Sequence, residues 1–539
     1  MERREFLRSL AAGTALAAFD WEAFPNATRS QLRDGEFDAV IIGSGLGGLS
    51  CGVAFARKGF KPLVLEQHDR PGGYATTFAR PGGFVFDVSL HSTGAGRRDA
   101  VHNLIPGIPE ITDVEFVPHP HLYRAIFPDH DIRVPQRDLP GYVKLLTGHF
   151  PAEEEGIKGI MEDMQGLSRD INRLSSGTAG PDMSRFPTEY PYLFKSQGKT
   201  WGQMVDARIR DPKLKAIISN LWGYYGLPPS LLSCYYYALP TFGYLAGGGF
   251  YPRGRSQQIS NALVKYIEGH GGKVLLRTPV REILIKDHAA VGVRTADGTQ
   301  YSSRVVVSNA CAQETFRAMM NQEDYLKEYL ARLEGYSISL SAFQVFLGLK
   351  TDLVRKIGIT DSEVFYHGGY DLDAEYQAAL SADVENGWYG VMLYDNIYEG
   401  YSPKGRNTVN IIVLQGYDHW KKYESDYLKG NKAAYRAEKQ RMARVLVRKV
   451  EDTLLPGLSK SIQVMEAGSP LTHMRYTRNY RGAVYGWDQT LNNTGPGRLP
   501  HKTPVRNLYL AGAWTSPGHG YGAVLYSGLE CFAEIMKTW

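Results

Sequence analysis

The chain has 539 residues, 43% hydrophobic and 22% charged, with a net charge of +5. This is the balance of an ordinary globular protein. It excludes a disordered chain and a polytopic membrane protein, and makes no case for nucleic acid as the main ligand. Two residue types are in excess, with 58 glycines and 34 tyrosines. Cys51, Cys234, Cys311 and Cys531 are too few and too scattered for a disulfide scaffold or a thiolate zinc site. They read as small buried hydrophobes, and no metal is expected.

In chain order, Arg3-Arg4, Phe6-Leu7 and Arg8 precede a weakly apolar, alanine-rich stretch at 10–19. This resembles a twin-arginine export signal. Glu2 departs from the small hydroxyl residue usual there, and the alternative is a plain amphipathic extension. The stretch is shorter than the ~20 residues that cross a bilayer. No later segment is long and apolar enough to do so. Residues 20–35 read as a polar linker. A buried strand at 38–42, a glycine turn, a helix at 49–58 stopped by Gly59, and a strand at 62–65 ending on Glu66 make one β-α-β unit. Residues 151–215 are mainly helical. An aromatic cluster at 221–251 holds Tyr224, Tyr225, Tyr235, Tyr236, Tyr237 and Tyr244. Next come a helix at 256–268 and strands at 273–276, 282–285 and 304–310, with a hairpin through Asp297-Gly298. Further strands are expected at 338–350 and 408–415, a basic helix at 432–454, a short strand at 508–512 and a closing helix at 523–536.

Gly43-x-Gly45-x-x-Gly48 comes directly after a strand, opens a helix, and has an acid at the end of the next strand, 23 residues beyond Gly43. Gly43 allows the tight turn, Gly45 the close approach of a pyrophosphate, and Gly48 the packing of helix on strand. The helix N-terminus offers free N–H groups and partial positive charge to phosphates. Glu66 can accept from both ribose hydroxyls, and its charge disfavours a 2′-phosphate. The ligand is therefore FAD or NAD rather than NADP.

The residues after Glu66 separate these two. Arg70-Pro71-Gly72-Gly73, Thr76, Thr77, Gly82-Gly83 and Phe86-Asp87-Val88-Ser89-Leu90-His91-Ser92 resemble the flavin-dependent amine oxidase and phytoene desaturase superfamily. At the other end, Asn507 to Gly512, Pro517-Gly518-His519-Gly520-Tyr521-Gly522-Ala523 and Ser527-Gly528 look like that family's second flavin motif. The resemblance implies an α/β protein with a discontinuous Rossmann-like FAD-binding domain and an inserted α+β substrate-binding domain. It implies FAD held by Gly43, Ser44, Gly45, Leu46 and Gly48, then by Glu66, Gln67, Gly73, Tyr74 and Thr76. Val280 would contact adenine, and Gly512, Ala513, Tyr521, Gly522 and Ala523 the flavin side. The division expected is signal and linker 1–35, FAD-binding parts 36–125, 245–312 and 471–539, and substrate-domain parts 126–244 and 313–470.

Pro517-Gly518-x-Gly520 and Gly247-Gly248-Gly249-Phe250-Tyr251-Pro252-Arg253-Gly254 are closer to the phytoene desaturase, carotenoid isomerase and retinol saturase branch. So are Phe150-Pro151-x-Glu153-x-x-Gly156 and Ser469-Pro470-Leu471-Thr472. Arg255 departs from a second glycine usual in that branch, which could change the turn or set a cation near the channel. The branch implies a long apolar polyene or isoprenoid substrate, with hydride transfer at flavin N5 in a desaturation, saturation or isomerisation. The aromatic cluster fits either a tunnel wall or ordinary core. The basic helix, with Lys432, Arg436, Lys439, Arg441, Arg444, Arg448 and Lys449, fits either an anionic-lipid contact at a membrane periphery or a solvated face. By motif position His91, His519 and Tyr521 are the candidate catalytic residues, and a structural role is the alternative for each histidine. Export would leave a quinone, oxygen or a redox protein as electron partner. The rival readings are an exported amine or amino-acid oxidase and a prenyl-lipid binding protein of the same fold.

Overall fold

The computed structural model describes residues 19, 21–26, 37–94, 111, 114–176, 182, 184–320 and 324–539. The twin-arginine-like segment lies outside them.

Phe37–Ile42 and Pro62–Leu65 are almost wholly buried apolar runs, the pattern of a parallel strand covered on both faces. They pair in parallel, flanked by Lys273–Leu275 beside Pro62–Leu65 and by Gln300–Ser308 beside Phe37–Ile42. Leu508–Leu510 closes the parallel set on the end of Gln300–Ser308. The start of Gln300–Ser308 instead joins an antiparallel meander with Ala289–Thr295 and Val280–Lys286. Both ends of the chain thus meet in one sheet. The helices Leu46–Arg57 and Tyr521–Met536 lie against each other there. Their approach is close because Gly528 has no side chain: a Cβ would stand 1.9 Å from Ser50 Oγ and 2.3 Å from the Gly47 carbonyl. Ser50 Oγ donates to the Leu525 carbonyl across the same seam at 2.6 Å. Cys51 and Cys531, 480 positions apart, are both buried in this seam.

A second, mixed sheet has seven strands in the order Ile462–Gly468, Ser341–Leu349, Asn407–Gln415, Tyr389–Met392, Glu363–Tyr366, Tyr123–Phe127 and His130–Val134. Tyr123–Phe127 straddles the division drawn at 125 and pairs wholly within this sheet. All residues of Ser341–Leu349 are buried. Phe343, Val345 and Leu347 join a core with Met442, Leu446 and Val450 of the helix Ala433–Thr453. Ala342, Gln344 and Phe346 face the opposite way, onto a cavity between the sheets.

Several expectations change. The stretch read as a polar linker includes a 3-10 turn, Trp21–Ala23, whose Trp21 is buried beneath Arg57, 4.9 Å from its ring. Phe24 packs edge-on against Phe532 at 5.6 Å. These residues join the core around the helices Leu46–Arg57 and Tyr521–Met536. The cations of the basic helix stand in different settings, with Arg436, Arg441, Arg444 and Arg448 exposed. Arg441 is engaged by Glu438, Arg448 by Glu385, and Lys449 by the carbonyls of Val384, Glu385 and Gly387. Lys432, Arg436 and Lys439, at its N-terminal end, line the cavity. The segment beginning at Phe150 works as a joint. Glu153 accepts from the Arg210 and Asp211 N–H groups at 2.9 and 2.7 Å, and a Cβ on Gly156 would sit 2.3 Å from the Arg208 carbonyl.

Candidate active site

The cavity between the sheets has a volume of about 1420 Å³, more than the ~300–1,000 Å³ of an ordinary small-molecule site. It has room for a cofactor and a second ligand in continuity.

Its dinucleotide end is shaped by absent side chains. Gly43 turns the chain out of its strand at φ +90. A Cβ on Gly48 would lie 2.2 Å from the Gly43 carbonyl, so helix and turn can pack only through glycine. Glu66 is set rigidly at the strand end: Oε2 accepts from Ser44 N and Oγ at 2.8 and 2.7 Å, and Oε1 from His68 N at 2.8 Å. Its carboxylate still lines the cavity. The helices Leu46–Arg57 and Tyr521–Met536 both open onto the cavity at their N-termini, through Gly45 and Leu46 and through Gly520 to Ala523. They present N–H groups and partial positive charge at two separated places. A pyrophosphate and an electron-rich flavin pyrimidine need such groups, so the residues fit FAD.

Every cofactor residue expected from sequence lines the cavity except two. Ser44 lies behind Glu66 and holds it, and Gly48 lies behind Gly43. Asn309 was not expected. It directly follows the strand Gln300–Ser308, and its carboxamide fills the space between the two glycine motifs. Cβ atoms on Gly45, Gly47 and Gly512 would lie 2.7, 2.6 and 2.4 Å from it. The available signal was its place at the carboxyl end of a parallel strand, where open α/β sheets bind ligands. Arg498 was also missed. Fully buried, it donates to the carbonyls of Trp487, Asp488, Ala513 and Thr515 at 2.6–3.2 Å and so pins the second flavin motif.

Beyond Tyr74 and Tyr521, whose hydroxyl donates to the Tyr74 carbonyl at 3.0 Å, the cavity becomes an aromatic chamber. The tyrosine cluster divides. Tyr224, Tyr225, Tyr236 and Tyr244 wall the chamber. Tyr237 instead stacks on Trp201 at 4.3 Å, and Tyr235 donates to the Leu193 carbonyl. Arg255 keeps the glycine-like turn at φ +76, and its guanidinium is held by the Val85 and Tyr401 carbonyls over the Tyr401 ring. It does not line the chamber.

His91 and His519 line the chamber. His519 is sandwiched between Tyr485 and Tyr236, 4.3 and 4.9 Å between ring centres, and neither ring nitrogen has a hydrogen-bond partner among the described residues. His91 lies parallel to Tyr224 at 6.1 Å. Burial pushes their pKa values down to about 3 and about 4. Both are therefore neutral rings at physiological pH, suited to shaping an apolar space and poor as stores of a proton.

The sequence model of the family described as flavin containing amine oxidoreductase matches residues 46–535. Among curated proteins, the chain is 27% identical to prolycopene isomerase 1 of an Oncidium hybrid cultivar, over 93% of this chain and 84% of that protein. It is 25% identical to all-trans-retinol 13,14-reductase of Danio rerio, over 93% of this chain and 86% of that one. Among solved structures, putrescine oxidase superposes with a TM-score of 0.61 at 15% identity, over 93% and 99% of the two chains, a likeness of fold. The cradle for a dinucleotide, closed by glycine motifs from both ends of the chain, is thus accompanied by a match from the first glycine helix to the end of the last: the chain belongs to the flavin containing amine oxidoreductase family.

Proposed function

We propose that this FAD-dependent oxidoreductase acts on C–C or C=C bonds of a long apolar polyene or isoprenoid lipid. The observation that carries the reading is the chamber itself, continuous with the flavin cradle and walled by tyrosines and neutral histidines. Bound FAD supplies hydride exchange at N5. The protein's part is to lay an extended apolar chain beside that position, exclude water, and move the companion proton. Tyr74 and Tyr521 line the same cavity and are joined by a hydrogen bond. The isomerase and reductase relatives, named for prolycopene and all-trans-retinol, support a polyene. An amine substrate is disfavoured by the charges available: Glu466 is engaged by Arg80 and Lys439, and Glu314 by Arg478. The decisive experiment is anaerobic incubation of oxidised and reduced enzyme with prolycopene or all-trans-retinol, followed by chromatography and mass analysis. A change of two hydrogens or of geometry supports the reading. Peroxide release with amines and no change in any polyene refutes it.

The outer mouth supports peripheral contact with anionic lipid. Lys432, Arg436, Arg475 and Tyr476 line it, and the neighbouring Leu428 is 69% exposed. Among the described residues, no helix is long and apolar enough to cross a membrane. Flotation with anionic but not neutral vesicles, weakened by Leu428→Glu, is the expected result. Export by the twin-arginine route, with a quinone, oxygen or redox protein as electron partner, rests on Arg3-Arg4 and the stretch after them. A reporter fused to residues 1–35 should leave the cytoplasm, and should fail to do so with both arginines replaced by lysine.

A further inference from the structure

Glu363 is a carboxyl group with almost no compensation. It stands at the start of Glu363–Tyr366, is 2% exposed, and forms no ion pair among the described residues. The hydroxyl of Tyr224, from Trp222–Tyr225, meets it, and Tyr244, from Cys234–Gly247, and Tyr394, from Tyr394–Asn396, lie within its electrostatic reach while their hydroxyls donate to the Ser92 and Leu90 carbonyls. Tyr224 Oη lies 2.8 Å from Glu363 Oε2, and Oε1 has no partner among the described residues. An ionised carboxylate with one hydrogen bond and no cation is strongly disfavoured by burial. Desolvation lifts the group to about 8, so it is mostly protonated at neutral pH.

Tyr224 connects this acid to the chamber. Its ring forms part of the chamber wall, parallel to His91 and edge-on to Phe365 at 5.5 Å, while its hydroxyl meets Glu363. Among the described residues, Tyr224 is therefore the one that both lines the chamber and bonds the carboxyl group.

We propose that Tyr224 is the catalytic proton donor and acceptor of the chamber and that Glu363, acting through it, is the proton store. This rests on the reading of the site as one for C=C chemistry. In saturation the balance is simple. FAD, when bound and reduced, would supply the hydride for one C–H bond. The Tyr224 O–H bond breaks to form the other, on the adjacent carbon. The Glu363 proton restores the phenol and leaves a carboxylate. Desaturation runs the same transfers in reverse. Isomerisation uses the proton alone, given to the polyene and taken back, with no net oxidation.

The test uses the FAD-loaded full chain. Infrared spectra of wild type minus Glu363→Gln at neutral pH should show the C=O band of a protonated carboxyl group, shifted in D₂O. Tyr224→Phe should keep that band and move its frequency. Both variants should retain flavin content and absorption yet lose about a hundredfold or more in turnover of any polyene that the wild type converts. A wild-type spectrum with no protonated carboxyl at neutral pH overturns the proposal, as does turnover within about threefold of wild type in both variants. The infrared result needs no substrate. It decides the state of Glu363 even if the enzyme proves inactive on every polyene offered, the outcome that instead sinks the functional reading.

Discussion

Replacing Gly47 by alanine tests whether the two ends of the chain converge on one cofactor. Gly47 lies inside the first glycine motif, but its neighbours come from elsewhere. A Cβ there would stand 2.6 Å from Asn309 Oδ1, 2.7 Å from Gly512 Cα and 2.8 Å from Gly512 N. Unstrained carbon contacts are ~3.5–4 Å, so the deficit is roughly 1 Å. The obstacle cannot easily retreat: Gly512 N donates to Ser527 Oγ at 2.9 Å, and Ala511 N to the Ser308 carbonyl at 2.9 Å. Overpacking of this kind costs about 1–3 kcal/mol. If the strain falls mainly on the cofactor-bound state, FAD binds about 5- to 150-fold more weakly. The assay is titration of apoprotein with FAD, followed by flavin fluorescence. The control is Gly148→Ala in the helix Leu139–His149, where a Cβ meets nothing within 4 Å and should leave binding unchanged. FAD binding by Gly47→Ala within about twofold of wild type would refute the convergence of Gly47, Asn309 and Gly512.

Other consequences are equally direct. Arg498→Met leaves four backbone carbonyls without their charged donor. At about 1–3 kcal/mol for each orphaned acceptor, thermal denaturation should show a drop of several degrees and early flavin release. Trp21→Ala removes a buried ring from beside Arg57 and should lower stability by about 3 kcal/mol in denaturant titration. An unchanged midpoint would mean that this turn is not part of the core. His91, His119, His473 and His519 are buried and held neutral down to about pH 3–4. In the unfolded chain they take up protons from about pH 6.5 downward, so their contribution to stability is full above that pH and is lost as pH falls toward 4. Each adds roughly 1.4 kcal/mol of loss per pH unit, and His119→Gln should flatten the acid limb of a denaturation series by about that amount. An unaltered slope would count against burial of a neutral ring at this position.

How much of the site is legible in the sequence differs from residue to residue. The β-α-β unit, the glycine turn and Glu66 are readable because their requirements are local: a buried strand, a positive φ at Gly43, and an acid one strand later. The C-terminal motif is readable for the same reason, since a short buried strand, glycines and an apolar helix announce themselves by composition. Asn309 is not, because a lone asparagine after a strand acquires meaning only when Gly45 and Gly512 close around it. The basic helix looks uniform in sequence, yet its cations differ because Glu438, Glu385 and backbone carbonyls engage some and leave others at the cavity mouth.

Sequence by itself therefore determined the cofactor cradle and the α/β class, since hydrophobic period, glycine placement and helix polarity act over a few residues. Tertiary structure decided the chamber. Glu363 reads as an ordinary acid in a short strand, and Tyr224 as one tyrosine among many. They lie 139 positions apart, and only folding brings them to 2.8 Å with the Glu363 side chain buried. Protonation there is set by desolvation, a property of the surroundings that no local pattern of residues encodes.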